Sequence, residues 1–195
     1  MATRAQLLAW HHAVEAYRIG QWDTALDHFG LAGPYAKIAF NSGMVFVQLR
    51  DWTTALALFT ESTRLDPYFL AGYLQCGYAA FVLQDYERSA AMASTTTLLM
   101  PMSSIVDVVD YAQLGLAYRL YRADLLWNRA MCHLALGAHE AYLCDIRAAG
   151  EAALTGRQHQ VTEDALCNLF DHPVTFFHVP HDAVFELHAR KLQSL

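Results

Sequence analysis

Apolar positions along this chain recur at helical spacing, in short stretches separated by turn signals. Over residues 5–19 (AQLLAWHHAVEAYRI) apolar side chains return every three or four positions, the pattern of an amphipathic helix, and Gly20 ends it. Residues 22–31 predict a second helix, with Ala25 and Phe29 four apart on one face. Gly33-Pro34 marks a turn. The pattern then repeats. GQWDTALDHF at 20–29 returns as RDWTTALALF at 50–59 and more faintly as QDYERSAAMA at 84–93, which puts Trp22, Trp52 and Tyr86 in one slot. A second repeat runs from about Tyr35 to Pro67, with Gly43 where two helices must approach closely and a second helix packed through Ala55 and Phe59. Asp66-Pro67 closes it, because proline disfavours the helical backbone of the residue before it. A third repeat runs from about Tyr68 to Pro101, with Tyr73, Gly77 and Tyr86 in the matching slots. Its second helix, SAAMASTTTLLM, carries three consecutive threonines, poor helix formers, and is expected to fray or end early.

Gly43 and Gly77 are 34 residues apart, as are Pro67 and Pro101. That is the length of the tetratricopeptide (TPR) repeat, two helices per unit. Such arrays rarely do chemistry; they present a surface to a partner. The period breaks at residues 101–122, where β-branched Ile105, Val106, Val108 and Val109 favour extended structure. About 20 residues are inserted there. The next helix pair is expected to start near Leu114–Arg119, to include WNRAMCHLALG at 127–137 and to turn at Gly137-Ala138-His139, with HEAYLCDIRAAGEAAL as its second helix. QVTEDALCNLF at 160–170 reads as a cap for the last exposed face. The tail from 171 to 195 contains VTFFHVPHDAVF, too apolar to float free, and FELHARKLQ predicts a short final helix. The expected fold is therefore all-α. It is a solenoid of four TPR repeats over 1–170 with an irregular or β-hairpin-like insertion after repeat three, and a tail packed back on the array.

Composition narrows the function. The 195 residues are 55% hydrophobic and 16% charged, which stacked helices accommodate by burying both inner faces of each repeat. No apolar run is long enough to span a membrane, and the start, MATRAQLLAWHH, lacks the pattern of a secretory signal. A net charge of −6 argues against a nucleic-acid binder. The four cysteines, Cys76, Cys132, Cys144 and Cys167, form no CxxC pair and read as reduced thiols. His172, His178, His181 and His188 cluster in the tail at spacings that fit no zinc motif, so no metal or cofactor is expected. Tandem His11-His12 reads as surface. Cys144 and Asp145 near His139 lack any sign of an oxyanion hole or cleft, so the chain reads as a non-enzyme.

Trp10, Gln21-Trp22, ALDHF at 25–29, KIAFNSG at 37–43, Ala55 to Phe59 and above all VDYAQLGLAYRLYRADLLWNRA at 109–130 together resemble one family. It is the N-terminal TPR domain of the cytosolic NADPH oxidase activators: the phagocyte activator, its non-phagocytic paralogue and fungal NoxR. VTFFHVPHDAVF resembles that family's tail segment. The resemblance implies a regulatory subunit that binds a GTP-loaded Rac-type small GTPase through inter-helix loops and the insertion. Its other partners would be an NADPH oxidase membrane subunit and further cytosolic oxidase subunits, and it would be cytoplasmic, recruited to the membrane on activation. The implied contact positions are Ala36, Asp66, Tyr68, Ser103, Ser104, Val108 and Asp110. The family's principal basic contact has no counterpart, since Met100–Ser104 replaces it and no Lys or Arg occurs from 89 to 118.

The alternative is a TPR adaptor for a peptide or another protein, with Rac-type binding lost. The chaperone clamp needs basic residues on the groove-facing slots of first helices, where this chain has Trp10, Ala71 and Gln75, with only Asn41 in place. Asn41 and Asn128, on first helices, suit either a bound peptide or the returning tail, and the tail is the expected partner. Aromatic residues Phe40, Tyr73, Trp22, Trp52 and Tyr86 read as packing anchors. Asp66 also fits an ordinary helix-end aspartate, and Asp110 a cap for a helix near Ala112.

Overall fold

Thr3 starts the first helix with a reciprocal capping box: its hydroxyl accepts from the Gln6 amide, and the Gln6 side chain accepts from the Thr3 amide. In this computed structural model, which describes residues 2–100, 107–168, 175–188 and 191, nine α-helices occur among the described residues. They are α1 (Arg4–Arg18), α2 (Trp22–Ala32), α3 (Ala36–Gln48), α4 (Trp52–Leu65), α5 (Leu70–Val82), α6 (Tyr86–Leu99), α7 (Arg122–Ala135), α8 (His139–Glu151) and α9 (Gly156–Asn168). A two-stranded sheet of β1 (Val108–Asp110) and β2 (Arg119–Tyr121) stands between α6 and α7, joined by a 3-10 turn at Ala112–Leu114. The pairs α1–α2, α3–α4, α5–α6 and α7–α8 are the four repeats.

Each pair turns through the same backbone. Gly20, Arg50, Gln84 and Gly137 all take positive φ (75°, 59°, 63° and 70°) just after the first helix of their pair. Asp51 and Asp85 then cap α4 and α6 by accepting from the Thr54 and Arg88 amides. The left-handed slot is free to glycine but strains Arg50 and Gln84, where a Cβ meets the following carbonyl.

The chain divides into two compact units. One comprises Met1–Gly72, Asp110–Tyr118 and Val179–Leu195; the other comprises Tyr73–Val109 and Arg119–His178. In the first, Ala25, Phe29, Phe40, Ala55 and Phe59 are buried, the small and aromatic slots that the sequence predicted, and Ala13 is buried as well. Gly43 permits a close approach: a Cβ there would lie 2.7 Å from the Phe59 ring. The second unit's core joins Leu126, Trp127, Met131, Tyr142 and Ile146 to Ala165 of α9, with Phe176 and Phe177 of the tail packed against it. Arg129 forks onto buried Asp145 through two bonds of 2.8 and 2.6 Å, the geometry that makes such a pair directional. Asp145 thus has a structural partner, while Cys144 is exposed.

Four expectations are corrected. The helix with three threonines does not end early: α6 reaches Leu99 because the Thr95, Thr96 and Thr97 hydroxyls donate to the carbonyls of Ala91, Met92 and Ala93 one turn back. The fourth pair starts at Arg122, not near Leu114–Arg119, because 119–121 is paired as β2. The last helix of the array opens at Gly156 rather than at about 160. Of the expected FELHARKLQ helix, Phe185–His188 are not helical and Lys191 is, its other residues lying outside those described; the backbone of Phe185 and Glu186 is held by contacts described below.

Asp124 lies buried on α7, where Gln158 donates to it at 2.7 Å. The Gln158 amide oxygen in turn accepts from the Leu154 and Thr155 amides, fastening the start of α9. Burial pushes the Asp124 carboxyl up to about 6, against the lowering effect of the Gln158 bond and the Arg157 charge. A raised folded pKa means that the native state holds this proton more tightly than the unfolded chain. Its ionisation therefore destabilises the fold above pH 6, by roughly 3 kcal/mol. Denaturation of Asp124→Asn should accordingly show a gain in stability at pH 7.5 and loss of the rise that the unaltered chain shows between about pH 6 and 4. At the turn slot, Gly137→Ala should cost about 1 kcal/mol in urea unfolding. Nothing lies within 4 Å of the added Cβ, so this loss reports backbone strain alone.

Candidate functional site

In the first unit the loop edge is built from the ends of α2 and α4 and the tip of the hairpin. Ala36 opens α3, half-buried, behind Tyr35 at the N-cap. Asp66 caps the end of α4, and its carboxylate accepts the Tyr68 amide at 3.0 Å, closing a tight turn over Pro67. This turn throws Tyr68 outward, 76% exposed, while the next residue, Phe69, is buried. Asp110 is exposed, and its carboxylate accepts the Ala112 amide at 2.9 Å, starting the 3-10 turn. Asp66 and Asp110 are thus both turn formers and exposed charges. The Tyr111 hydroxyl joins the tip to the loop by accepting the Ala71 amide of the first turn of α5 at 3.0 Å. Burial, with the nearby Asp66 carboxylate, pushes this phenol up to about 12, so it stays neutral.

Ala36, Asp66, Tyr68 and Asp110 thus fall in one compact unit, and Val108, half-buried on β1, belongs to the other. Ser103 and Ser104 lie outside the described residues.

Also in the first unit, polar side chains of first helices hold the tail by its backbone. Asn41, fully buried on α3, donates to the Phe185 carbonyl and accepts the Phe185 amide, both at 2.8 Å. The Trp10 indole donates to the same carbonyl at 2.8 Å. Farther along, Gln48 donates to the His181 carbonyl at 2.6 Å and the Tyr17 hydroxyl donates there as well. The second unit repeats the device. Asn128 on α7 donates to the Phe177 carbonyl at 2.7 Å and accepts its amide at 2.8 Å, and the Trp127 indole donates to Thr175. His178 stacks on Tyr78 with ring centroids 4.2 Å apart, and Arg157 lies 5.3 Å over the Phe177 ring. Among the described residues no group of three or more His, Cys, Asp or Glu is placed to hold a metal ion. No helix among them is long and apolar enough to cross a membrane.

The reading of Asn41 and Asn128 as tail partners agrees with these contacts. The sequence pattern does not mark Trp10, Tyr17, Gln48, Tyr111 or Trp127 as tail or loop holders. Only amphipathic side chains in groove-facing slots hinted at them, because their partners are backbone groups far off in sequence.

Paired helices with a repeated left-handed turn define a TPR protein, and solved structures agree. YrrB, a TPR protein, superposes with a TM-score of 0.59 at 16% identity over 79% of this chain and 71% of its own. MamA from Desulfovibrio magneticus gives 0.65 at 12% identity over 88% and 89%. In sequence the chain is similar to NADPH oxidase activators. It is 33% identical to NADPH oxidase activator 1 of Rattus norvegicus over 126 residues, 64% of this chain and 28% of that protein. It is 27% identical to neutrophil cytosol factor 2 of Bos taurus over 134 residues, 68% of this chain and 25% of that protein. The chain thus matches about a quarter of the length of each. No protein-family profile matches it.

Replacing Tyr111 by Phe strands the Ala71 amide in a buried place. The expected cost is about 1–3 kcal/mol in chemical denaturation, with faster hydrogen exchange at Ala71 and no change at α8.

Proposed function

We propose that this chain is a non-enzymatic regulatory subunit that binds a GTP-loaded Rac-type small GTPase and helps activate a superoxide-producing NADPH oxidase. It would act from the cytoplasm and be recruited to the membrane with the GTPase and the other oxidase subunits. The observation that carries this reading is the similarity to oxidase activators at 33% and 27% identity. The loop edge supports it: Asp66, Tyr68 and Asp110 are exposed in one compact unit. A small GTPase regulates only through unequal affinity of its two nucleotide states for the effector. The rigid turns at Asp66–Tyr68 and Asp110–Ala112 suit such discrimination, because they offer a preset surface to whichever state fits.

With no Lys or Arg from 89 to 118, the exposed charges of the two turns are the Asp66 and Asp110 carboxylates, and the Arg64 guanidinium at the end of α4 is paired with Glu61. The matching GTPase surface would therefore be basic, and the affinity should fall as salt rises. Ala36, in the same unit, would complete the contact; Val108, Ser103 and Ser104 are the other positions that the resemblance implies. The adaptor reading is less well supported, since the tail's own backbone takes the side chains that would grip a peptide.

Calorimetric titration with GTPase loaded with a non-hydrolysable GTP analogue, and separately with GDP, tests the proposal. Binding is expected in the GTP state only. Tyr68→Ala should weaken it tenfold or more, as loss of a central aromatic anchor does. Asp66→Asn and Asp110→Asn keep the turn-forming acceptor but remove the charge. Each should lower affinity several-fold with melting temperature unchanged. A folded chain that binds neither state overturns the reading.

A further inference from the structure

Two exposed residues of the loop edge, Tyr68 and Asp110, are each followed in sequence by a buried aromatic ring, and both rings pack on one tail residue. Phe69 follows Tyr68 and Tyr111 follows Asp110. Their ring centroids lie 5.2 and 6.0 Å from that of Phe185. Phe185 is 0% exposed and also meets Phe40 edge-on at 5.2 Å. Its backbone cannot drift, since Asn41 takes both its amide and its carbonyl and Trp10 takes the carbonyl a second time.

From this seat the tail reaches the hairpin tip directly. The Glu186 amide donates to the Gly115 carbonyl at 2.8 Å. The junction is so close that a Cβ on Gly115, at φ +91°, would sit 2.2 Å from the Glu186 carbonyl oxygen. Lys37 spans the same gap: its ammonium lies 5.0 Å over the Phe185 ring and donates to the Leu114 carbonyl at 2.5 Å. The tip itself is a short loop whose own bonds, among them Tyr111 to Tyr118, Leu114 and Leu116 to Tyr111 and Gly115 to Ala112, shape its turn but do not aim it. A loop this small cannot fix its own orientation and takes it from what it packs against.

We propose that Phe185 is the positioning residue of the GTPase-binding edge: seated among Phe40, Phe69 and Tyr111, it holds the hairpin tip and the Asp66–Tyr68 turn in the arrangement that the GTPase meets. The occupancy of this seat by the tail then sets GTPase affinity, although Phe185 itself is wholly buried. This proposal rests on the GTPase reading above. Its mechanical part, that the tail orders the edge, is measured without any GTPase.

The test uses the full chain with Phe185→Ala, the milder Phe185→Leu, and Gly115→Ala, which breaks the junction from the hairpin side and leaves Phe185 intact. Hydrogen exchange of the free proteins should accelerate at least tenfold at 68–71 and 111–118 in Phe185→Ala and Gly115→Ala, and be unchanged at 139–149. Affinity for the GTP-loaded GTPase should fall tenfold or more in both. A purely structural role would not move the next readout, a double-mutant cycle. Tyr68→Ala, costly in the unaltered chain, should cost markedly less in the Phe185→Leu background, because the residue it removes is already misplaced. If Phe185→Ala does not fold, Phe185→Leu and Gly115→Ala carry the same comparisons. Unchanged exchange at the tip in folded variants overturns the proposal. So does accelerated exchange with unchanged affinity, or full additivity in the cycle. If the unaltered chain binds no GTPase, the functional reading falls, and with it the link to affinity. Accelerated exchange in the variants would then still establish the tail as the strut of this edge.

Discussion

An extended segment laid against helices has no strand beside it, so its buried amides and carbonyls must find side-chain partners or lose several kcal/mol of hydration. Two asparagines meet that constraint here. Asn41 and Asn128 each carry a donor and an acceptor on one rigid plane, and each pairs both backbone groups of a single tail residue, Phe185 and Phe177. A shorter or singly polar side chain would satisfy only half of the need. Because the backbone is paired, the aromatic rings on either side can be buried, and the apolar tail becomes part of the core of its unit rather than a loose end.

The loop edge depends on the same arrangement in the first unit. Its exposed carboxylates sit in turns they themselves form, at Asp66 and Asp110, so charge and shape are set by the same atoms. Tyr111 transmits the packing: its ring lies on Phe185 and its hydroxyl accepts the Ala71 amide. In each unit, first-helix side chains are thereby devoted to holding the tail. In the second unit buried charge specifies the packing. Arg129 on Asp145 and Gln158 on Asp124 tie α7 to α8 and α9 at single registers, and a slip of either helix would strand a buried carboxylate.

Much of this was legible beforehand. Repeat spacing, the slots of Ala25, Phe29, Ala55 and Phe59, and the turn signals all follow from short-range rules, because a helix pair must bury one stripe and turn in a fixed number of residues. The hairpin-like insertion showed as a run of β-branched residues. Where local propensity was read alone it misled. The threonines of α6 look like helix breakers until their hydroxyls donate back into the helix, and the FELH of 185–188 looks helical until Asn41 and Gly115 claim the backbone of Phe185 and Glu186.

The sequence by itself determined an array of helix pairs, its length, its break after the third repeat and the polar slots at Asn41 and Asn128, since each is written in spacings of a few residues. Only the tertiary structure decided that Phe185 sits between Phe69 and Tyr111, that Tyr111 accepts the Ala71 amide, and that Gly115 must lack a side chain. Those contacts join residues tens to more than a hundred positions apart. Each depends on how the packed helices direct a returning segment, information that no local pattern of side chains carries.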